Sequence, residues 1–214
     1  MIPIKIFESE RSMVLNAIDI IKFELKRKKK LSIAFSGGKT PIRLFQLLAA
    51  EDINWENINI FLVDERWVPL DDSDSNYHMI NIFLLENITI PNENIHHIHY
   101  SSSIERSRKE YENDLLKHFK GEVTFDLIFL GVGNDGHTAS IFEKNEVDLS
   151  EDVIVTCSRR HPHRRISLGM SLINRGERKI FLLGPEKIPV IESSKSKDLP
   201  VSRVTAPEFL SYIK

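Results

Sequence analysis

The chain alternates between short, largely apolar runs and longer amphipathic segments. Continuous apolar runs are typical of strands buried on both faces of a parallel sheet, and a short alternating run is typical of an edge strand. In chain order, the predicted strands are Ile2–Phe7 at the edge, Leu31–Phe35, Ile58–Val63, Ile95–His99, Phe125–Leu130, Val153–Thr156 and Lys179–Leu183.

Between these strands, apolar residues recur at helical spacing. The predicted helices are Glu10–Arg27, Ile42–Leu48, Asn76–Leu85, Ile104–Phe119 and a short C-terminal helix, Pro207–Ile213. Because strands alternate with helices almost throughout, the sequence predicts an α/β fold with a mainly parallel, doubly wound sheet. We expect a single domain covering residues 1–214, a length that suits one sizeable core.

Composition and charge exclude several classes of partner. The net charge of −2 gives no global attraction to nucleic acid or to a membrane surface. No apolar run is long enough to span a bilayer, and Met1–Lys5 has no signal-peptide core. Cys157 has no second cysteine to pair with, which fits a reducing, cytoplasmic location. We expect a monomer or weak homo-oligomer.

Polar clusters follow four of the predicted strands: Ser36–Thr40, Asp64–Arg66, Gly131–Ser140 and Gly184–Lys187. If these strands are parallel, the clusters meet at one edge of the sheet, where ligands bind in open α/β folds. Together they offer glycine loops, cations, acids and a histidine. This combination predicts a phosphorylated small molecule that undergoes proton-transfer chemistry.

The first cluster has the composition of a phosphate cradle, with a plain tight turn as the alternative. Its residues are Ser36, Gly37, Gly38, Lys39 and Thr40. A glycine loop before a helix N-terminus presents N–H groups to an anion. Thr40 is the predicted N-cap, with Pro41 in the first helical turn.

The third cluster brings three glycines, Asp135 and His137 to a strand end, and a short helix is predicted to end near Phe142. His137 can exchange a proton near neutral pH, whereas its plain alternative is a helix cap. The cluster also matches the dinucleotide pattern G-x-G-x-x-G. The next predicted strand, Val153–Thr156, does not end in the acidic residue that would bind the ribose of NAD. A dinucleotide site would then depend on Arg159 and Arg160 as contacts for NADP, and this interpretation is disfavoured.

A metal site is not predicted. His97 and His99 would share one face of a strand, but no Cys, Asp or Glu follows at ligand spacing.

Four motifs follow one another along the chain. They are Ser36-Gly37-Gly38-x-Thr40-Pro41; Asp64-Glu65-Arg66-x-Val68-Pro69 with Asp74-Ser75-Asn76-Tyr77; Gly131-x-Gly133-x-Asp135-Gly136-His137-Thr138-Ala139-Ser140-x-Phe142; and Arg165-Ile166-Ser167 with Ile173-Asn174. In this order they resemble the motifs of the 6-phosphogluconolactonase family. The resemblance implies a Rossmann-like fold. It also implies hydrolysis of 6-phospho-D-glucono-1,5-lactone to 6-phosphogluconate in the pentose phosphate pathway, with no metal or organic cofactor.

On this hypothesis His137 activates water, and Arg66 or glycine-loop N–H groups stabilise the oxyanion. Asp135 orients the imidazole or substrate hydroxyls, or caps a helix. Asp64 holds hydroxyls or pairs with a cation. The Ser36–Thr40 loop, Arg165 and Lys187 are the predicted phosphate contacts, although Lys187 could be a surface lysine.

Two other functions are alternatives to lactone hydrolysis: deamination of a sugar phosphate and non-catalytic sensing of one. Glucosamine-6-phosphate deaminases are similar in the glycine loop and the Asp-Gly-His element, but they have tyrosine where this chain has Arg66. Their Asp-Gly-His element continues into Phe-Asn-Glu-Pro, whereas Thr138-Ala139-Ser140 follows here. A non-catalytic sugar-phosphate sensor is the second alternative, which the intact Asp135, His137 and Arg66 disfavour.

Overall fold

The computed structural model describes residues 2–142, 151–158 and 161–213. Its strands are β1 (Ile4–Phe7), β2 (Leu31–Phe35), β3 (Ile58–Leu62), β4 (Asp64–Arg66), β5 (Ile95–His96), β6 (Leu127–Leu130), β7 (Val153–Ser158), β8 (His161–Leu168), β9 (Arg178–Leu182) and β10 (Pro207–Tyr212). Its α-helices are α1 (Glu10–Arg27), α2 (Thr40–Ala49), α3 (Asn76–Phe83), α4 (Ile104–Phe119), α5 (Met170–Arg175) and α6 (Ile188–Ser194).

Seven of the described strands form a parallel sheet in the order β1-β10-β9-β6-β2-β3-β5. The apolar runs that predict β2, β3 and β6 are buried at every position, because helices cover both faces of the sheet. The predicted α/β, doubly wound, mainly parallel fold is therefore confirmed.

The strand order reverses at the pair β2 and β6. From β2 the chain proceeds outward to β3 and β5, whereas β6, β9 and β10 lie on the other side of β2. The two strands end in register, and the Ser36 N–H donates to the Phe129 carbonyl at 3.0 Å. Such a switch point opens a crevice between the loops that follow the two strands.

A second sheet, in the order β4-β8-β7, is antiparallel and was not predicted. His161–Arg165 is not among the predicted strands, but it forms the first five residues of β8. The Val63 N–H donates to the Phe35 carbonyl at 2.9 Å, and the Leu168 N–H donates to the Val63 carbonyl at 2.8 Å. These bonds attach the second sheet to the end of β2.

Two predicted elements in the outer parts of the sheet were wrong in type or length. Pro207–Ile213 was predicted as a helix, but β10 (Pro207–Tyr212) is a strand between β1 and β9. The strand predicted at Ile95–His99 is shortened to β5 (Ile95–His96). Within the described residues, no helix has the length and apolar character needed to cross a membrane.

Candidate active site

A cavity of about 310 Å³ opens at the switch point between β2 and β6. Its size is at the lower end of the range for small-molecule sites. Ten of the eleven predicted site residues line it: Ser36, Gly37, Gly38, Lys39, Thr40, Asp64, Arg66, His137, Arg165 and Lys187. The eleventh, Asp135, lies behind His137 and contacts its ring. The structure therefore brings all of the predicted residues to one edge of the sheet.

The loop after β2 forms one wall of the cavity. Gly38 has φ of +108°, a conformation that side chains rarely adopt, and Gly37 lies against Asn76. The Ser36 hydroxyl is buried and has no hydrogen-bond partner among the described residues. The predicted N-cap, Thr40, is instead the first residue of α2, because Lys39 occupies the cap position without a side-chain cap bond. The first turn of α2 thus has no capping side chain in front of its N–H groups.

The loop after β6 is a compact turn, and the helix predicted to end near Phe142 does not form. The Gly133 N–H donates to the His137 carbonyl at 2.9 Å, and Gly136 has φ of +79°. The Thr138 hydroxyl donates to the Gly131 carbonyl at 3.0 Å. All of residues 131–142 are described and none is helical, so neither Asp135 nor His137 caps a helix there.

Asp135 and His137 form a hydrogen-bonded dyad. The His137 Nδ1 lies 2.5 Å from the Asp135 Oδ1, and the two side chains are 19% and 21% exposed. The ring rests against Gly133, where a Cβ atom would lie 2.1 Å from Nδ1. Gly133 therefore leaves the space that the imidazole fills.

The charge state of the acid fixes the tautomer of the imidazole. Burial alone would raise the pKa of Asp135, but the charge and hydrogen bonds of His137 outweigh it and lower that pKa. An ionised carboxylate only accepts hydrogen bonds, so Nδ1 must carry the proton that is shared with Asp135. In the neutral ring, the lone pair is then on Nε2, as a general base requires.

Strand pairing places the acid and the arginines of the site side by side. Alternation along β4 puts Asp64 and Arg66 on one face. In the antiparallel register, Asp64 is opposite Ser167 and Arg66 is opposite Arg165. Residues that face each other across two strands share a face of the sheet, so Arg165 joins the same surface.

Asp64 is a buried acceptor in a polar network. Its Oδ2 accepts a hydrogen bond from the Ser140 hydroxyl at 2.6 Å and lies 3.8 Å from the Arg165 Nη1. Burial lowers the pKa of Arg165, although the charge of Asp64 opposes that shift. The Arg165 Nε is buried and has no hydrogen-bond partner among the described residues. Such a donor next to a cavity is suited to an anionic ligand.

Asn76 was missed as a site residue, although it belongs to the motif Asp74-Ser75-Asn76-Tyr77, because it was predicted only as the start of a helix. Its side chain donates to the Asp64 carbonyl at 2.8 Å and accepts a hydrogen bond from the Arg66 guanidinium. It also lines the cavity next to Gly37. Asn76 therefore fixes the position of Arg66 relative to the glycine loop.

Glu65 was also missed, and it anchors the start of α3 to β4. Burial raises the pKa of Glu65 to about 7, against hydrogen bonds that lower it. These bonds come from the N–H groups of Arg66, Asn76 and Tyr77 and from the Ser75 hydroxyl. The only signal in the sequence was the acidic residue itself. Alternation along β4 directs its side chain away from the face that carries Asp64 and Arg66, so Glu65 does not line the cavity.

Two lysines contribute positive charge at the rim of the cavity. Lys39 is exposed at the start of α2, and Lys187 donates to the Asn134 side chain across the mouth. Glu186 also lines the cavity. The rim therefore has two lysines and one acid, in addition to the buried Arg165.

Within the described residues, the side chains whose spacing suits a metal ion are Asp135, His137 and His161. His97 and His99 are not in that group, although their rings lie 4.2 Å apart. Burial lowers the pKa of His97 to about 4, and the charge of His99 lowers it further. Arg159 and Arg160, on which the NADP interpretation depends, lie outside the described residues.

The cavity at the switch point is surrounded by glycine loops, by buried and rim cations and by a histidine–aspartate dyad. This combination defines an enzyme for small phosphorylated substrates. The sequence model described as "Glucosamine-6-phosphate isomerases/6-phosphogluconolactonase" matches residues 8–211. The chain belongs to this family, as the order of its motifs predicts.

Individual members of the family are similar over most of their length. The 6-phosphogluconolactonase of Synechocystis is 34% identical over 93% of this chain and 81% of its own length. The corresponding protein of Thermotoga maritima is 35% identical over 86% of this chain and 84% of its own. The crystal structure of 6-phosphogluconolactonase from Thermotoga maritima superimposes with a TM-score of 0.85, covering 99% of this chain and 100% of that one.

Proposed function

We propose that the protein is a 6-phosphogluconolactonase, which hydrolyses 6-phospho-D-glucono-1,5-lactone to 6-phosphogluconate in the pentose phosphate pathway. The observation that carries the proposal is the Asp135–His137 dyad on the wall of a cavity that also contains Arg66, Arg165 and Lys187. A base and several cations on one small cavity fit an ester that also carries a phosphate. The named relatives support the same reaction.

His137 acts as the general base in this proposal. Asp135 accepts a hydrogen bond from the Nδ1–H group and holds the ring, so Nε2 removes a proton from water as the water attacks the lactone carbonyl. The protonated imidazole then gives this proton to the ring oxygen that leaves. One group thus serves both steps, and the carboxylate stabilises the imidazolium between them.

The tetrahedral intermediate needs a donor that is already in place. Arg66 is suited to this role, since the Asn76 side chain and the Asp74 carbonyl, at 2.9 Å, both accept hydrogen bonds from its Nη1. The N–H groups of Gly131 and Val132 are the alternative donors, because these residues also line the cavity. In either case the donor is oriented before the charge develops.

The phosphate binds between the Ser36–Thr40 loop, Arg165 and Lys187. The unpaired Ser36 hydroxyl and Arg165 Nε would find acceptors in its oxygens. N–H groups at the uncapped start of α2 favour the same anion. Two roles were predicted for Asp64: it holds substrate hydroxyls or pairs with a cation. We assign the second role, because Ser140 and Arg165 already contact its carboxylate.

The decisive test compares two reactions on the purified protein. We expect hydrolysis of 6-phosphogluconolactone above the spontaneous rate and little deamination of glucosamine 6-phosphate. Arg66 replaces the tyrosine of the deaminase motif, and this is the residue difference that the comparison probes. Faster deamination than lactone hydrolysis would overturn the assignment, and binding of both sugar phosphates without turnover would indicate a sensor.

Lys187→Ala should raise KM by about tenfold and change kcat little, because a rim lysine contributes mainly to ground-state binding of phosphate. Steady-state kinetics with the phosphorylated lactone measure this effect. Lys109→Ala, which removes an exposed lysine of α4, is the matched control and should leave both constants unchanged. An unchanged KM for Lys187→Ala would remove this lysine from the phosphate site.

We also propose that the protein acts in the cytoplasm as a monomer or weak homo-oligomer on a small diffusible substrate. A net charge of −2 and a single cysteine fit that environment.

A further inference from the structure

His161 extends the dyad into a cluster of three possible metal ligands. It is the first residue of β8, and its ring lies 5.4 Å from the His137 ring. Phe142 packs on both rings, at 4.8 Å from His137 and 5.1 Å from His161. The Arg165 guanidinium also lies 5.6 Å from the Phe142 ring, so His161 and Arg165 meet the same side chain at the edge of the site.

The cluster opens on its own depression next to the substrate cavity. This depression has a volume of about 300 Å³ and is lined by Asn134, Asp135, His137 and His161. His137 also lines the substrate cavity, so its ring forms part of the wall between the two spaces. A ligand in the depression would therefore contact the general base without entering the space that the lactone occupies.

The geometry of the three side chains suits a transition metal. One donor atom from each residue lies within 4.8 Å of the other two. Tetrahedral Zn²⁺ with bonds of ~2.0–2.1 Å needs donors about 3.4 Å apart, so each must move by less than about 1 Å. All three side chains are partly exposed and can make that adjustment. Two imidazoles and a carboxylate are ligands that Zn²⁺ commonly takes, and water or substrate would complete its coordination.

We propose that Asp135, His137 and His161 bind a divalent transition-metal ion such as Zn²⁺, and that the bound ion inhibits the enzyme. An ion on Nε2 occupies the lone pair of the base, and an ion on Nδ1 moves the proton of the neutral ring to Nε2. In either case a metal-bound His137 cannot accept a proton from water. The binding part of this proposal is independent of the reaction. The inhibition part rests on the proposed function, in which His137 is the base.

Metal binding is measured first, on the full chain stripped with EDTA and then dialysed to remove the chelator. Equilibrium dialysis against Zn²⁺ should give one ion per chain, and Co²⁺ should develop the visible absorption of a tetrahedral site. His161→Asn should weaken binding at least ~10-fold, since even the loss of an outer partner of a metal ligand costs that much. His163→Asn is the matched control, because His163 lies two residues along β8 and pairs with Asp74 at 2.9 Å.

Inhibition is measured next, by lactone hydrolysis with increasing Zn²⁺. Wild type and His163→Asn should lose activity as the site fills, and EDTA should restore it. His161→Asn should have the kcat of wild type in EDTA and need at least ~10-fold more Zn²⁺ for the same inhibition. Its unchanged kcat and circular dichroism would show that the variant is folded.

Several outcomes would overturn the proposal. Absence of Zn²⁺ binding, or equal binding by wild type and His161→Asn, would remove the site. Equal inhibition of the two proteins would place the inhibitory metal elsewhere, and activation by Zn²⁺ would contradict the competition for His137. If the chain binds Zn²⁺ through His161 but does not hydrolyse the lactone, the metal site stands and the proposed function fails.

Discussion

His137→Asn should lower kcat for lactone hydrolysis by about 10²–10⁴-fold, because asparagine keeps polarity and approximate size but cannot accept a proton from water at neutral pH. The fold should persist, since the ring is at the cavity wall and the core around β2 and β6 does not depend on it. Stopped-flow or pH-stat assays corrected for spontaneous opening of the lactone measure the rate. Binding of 6-phosphogluconate by calorimetry measures whether the site is intact.

A histidine control separates the role of the base from general effects of losing an imidazole. His163→Asn removes a half-buried ring that pairs with Asp74 and does not line the cavity, so its kcat should match wild type. Substantial turnover by a folded His137→Asn variant would exclude His137 as the base. Asp64 and Asp135 would then be the carboxylates to test.

The assignment of His137 as the general base also predicts the direction in which kcat changes with pH. The pKa of Asp135 lies below its ordinary value, because the charge and hydrogen bonds of His137 outweigh the opposing effect of burial. Asp135 therefore stays ionised further into the acidic range, and kcat should fall at acidic pH because only a neutral base can accept the proton of water. The residual activity of His137→Asn should lack this acidic limb, and an unchanged profile would show that another group titrates.

The parallel sheet was predictable because its strands are buried on both faces, which leaves uninterrupted apolar runs in the sequence. The segment Pro207–Ile213 was misassigned as a helix because it mixes apolar and polar residues without a clear period. Its neighbours decide its structure, since β10 pairs with β1 on one side and β9 on the other. Pro207 is tolerated at the first position of the strand.

The candidate site was predictable where chemistry follows a parallel strand, and less so where it depends on antiparallel pairing. The residues from His161 to Arg165 are mostly charged or polar, so no alternation of apolar side chains identified them as β8. The register of β8 with β4 is what places Arg165 opposite Arg66. Such pairing between residues about a hundred positions apart leaves no local pattern, and His161 was not recognised as a neighbour of His137 for the same reason.

Gly133→Ala should lower kcat by about 10²-fold while the protein remains folded. A Cβ atom at this position would lie 2.1 Å from the His137 Nδ1 and 2.7 Å from the Asp135 Oδ1, so the dyad must shift. The backbone at Gly133 lies outside the left-handed region, so alanine adds steric conflict without strain in φ. A displacement of about 1 Å in a catalytic group can cost about 10²-fold in rate.

Kinetics and structure together test this displacement. Because the phosphate contacts are in the Ser36–Thr40 loop and on β8, KM should change much less than kcat. Gly121→Ala is the matched control, since its added Cβ would meet no atom within 4 Å and the residue lies outside the cavity. Wild-type kcat in Gly133→Ala, with the ring shifted in a crystal structure, would show that turnover does not depend on the position of the imidazole. The Asp135–His137 contact would then be a structural feature of the loop, and the general base would have to be another residue.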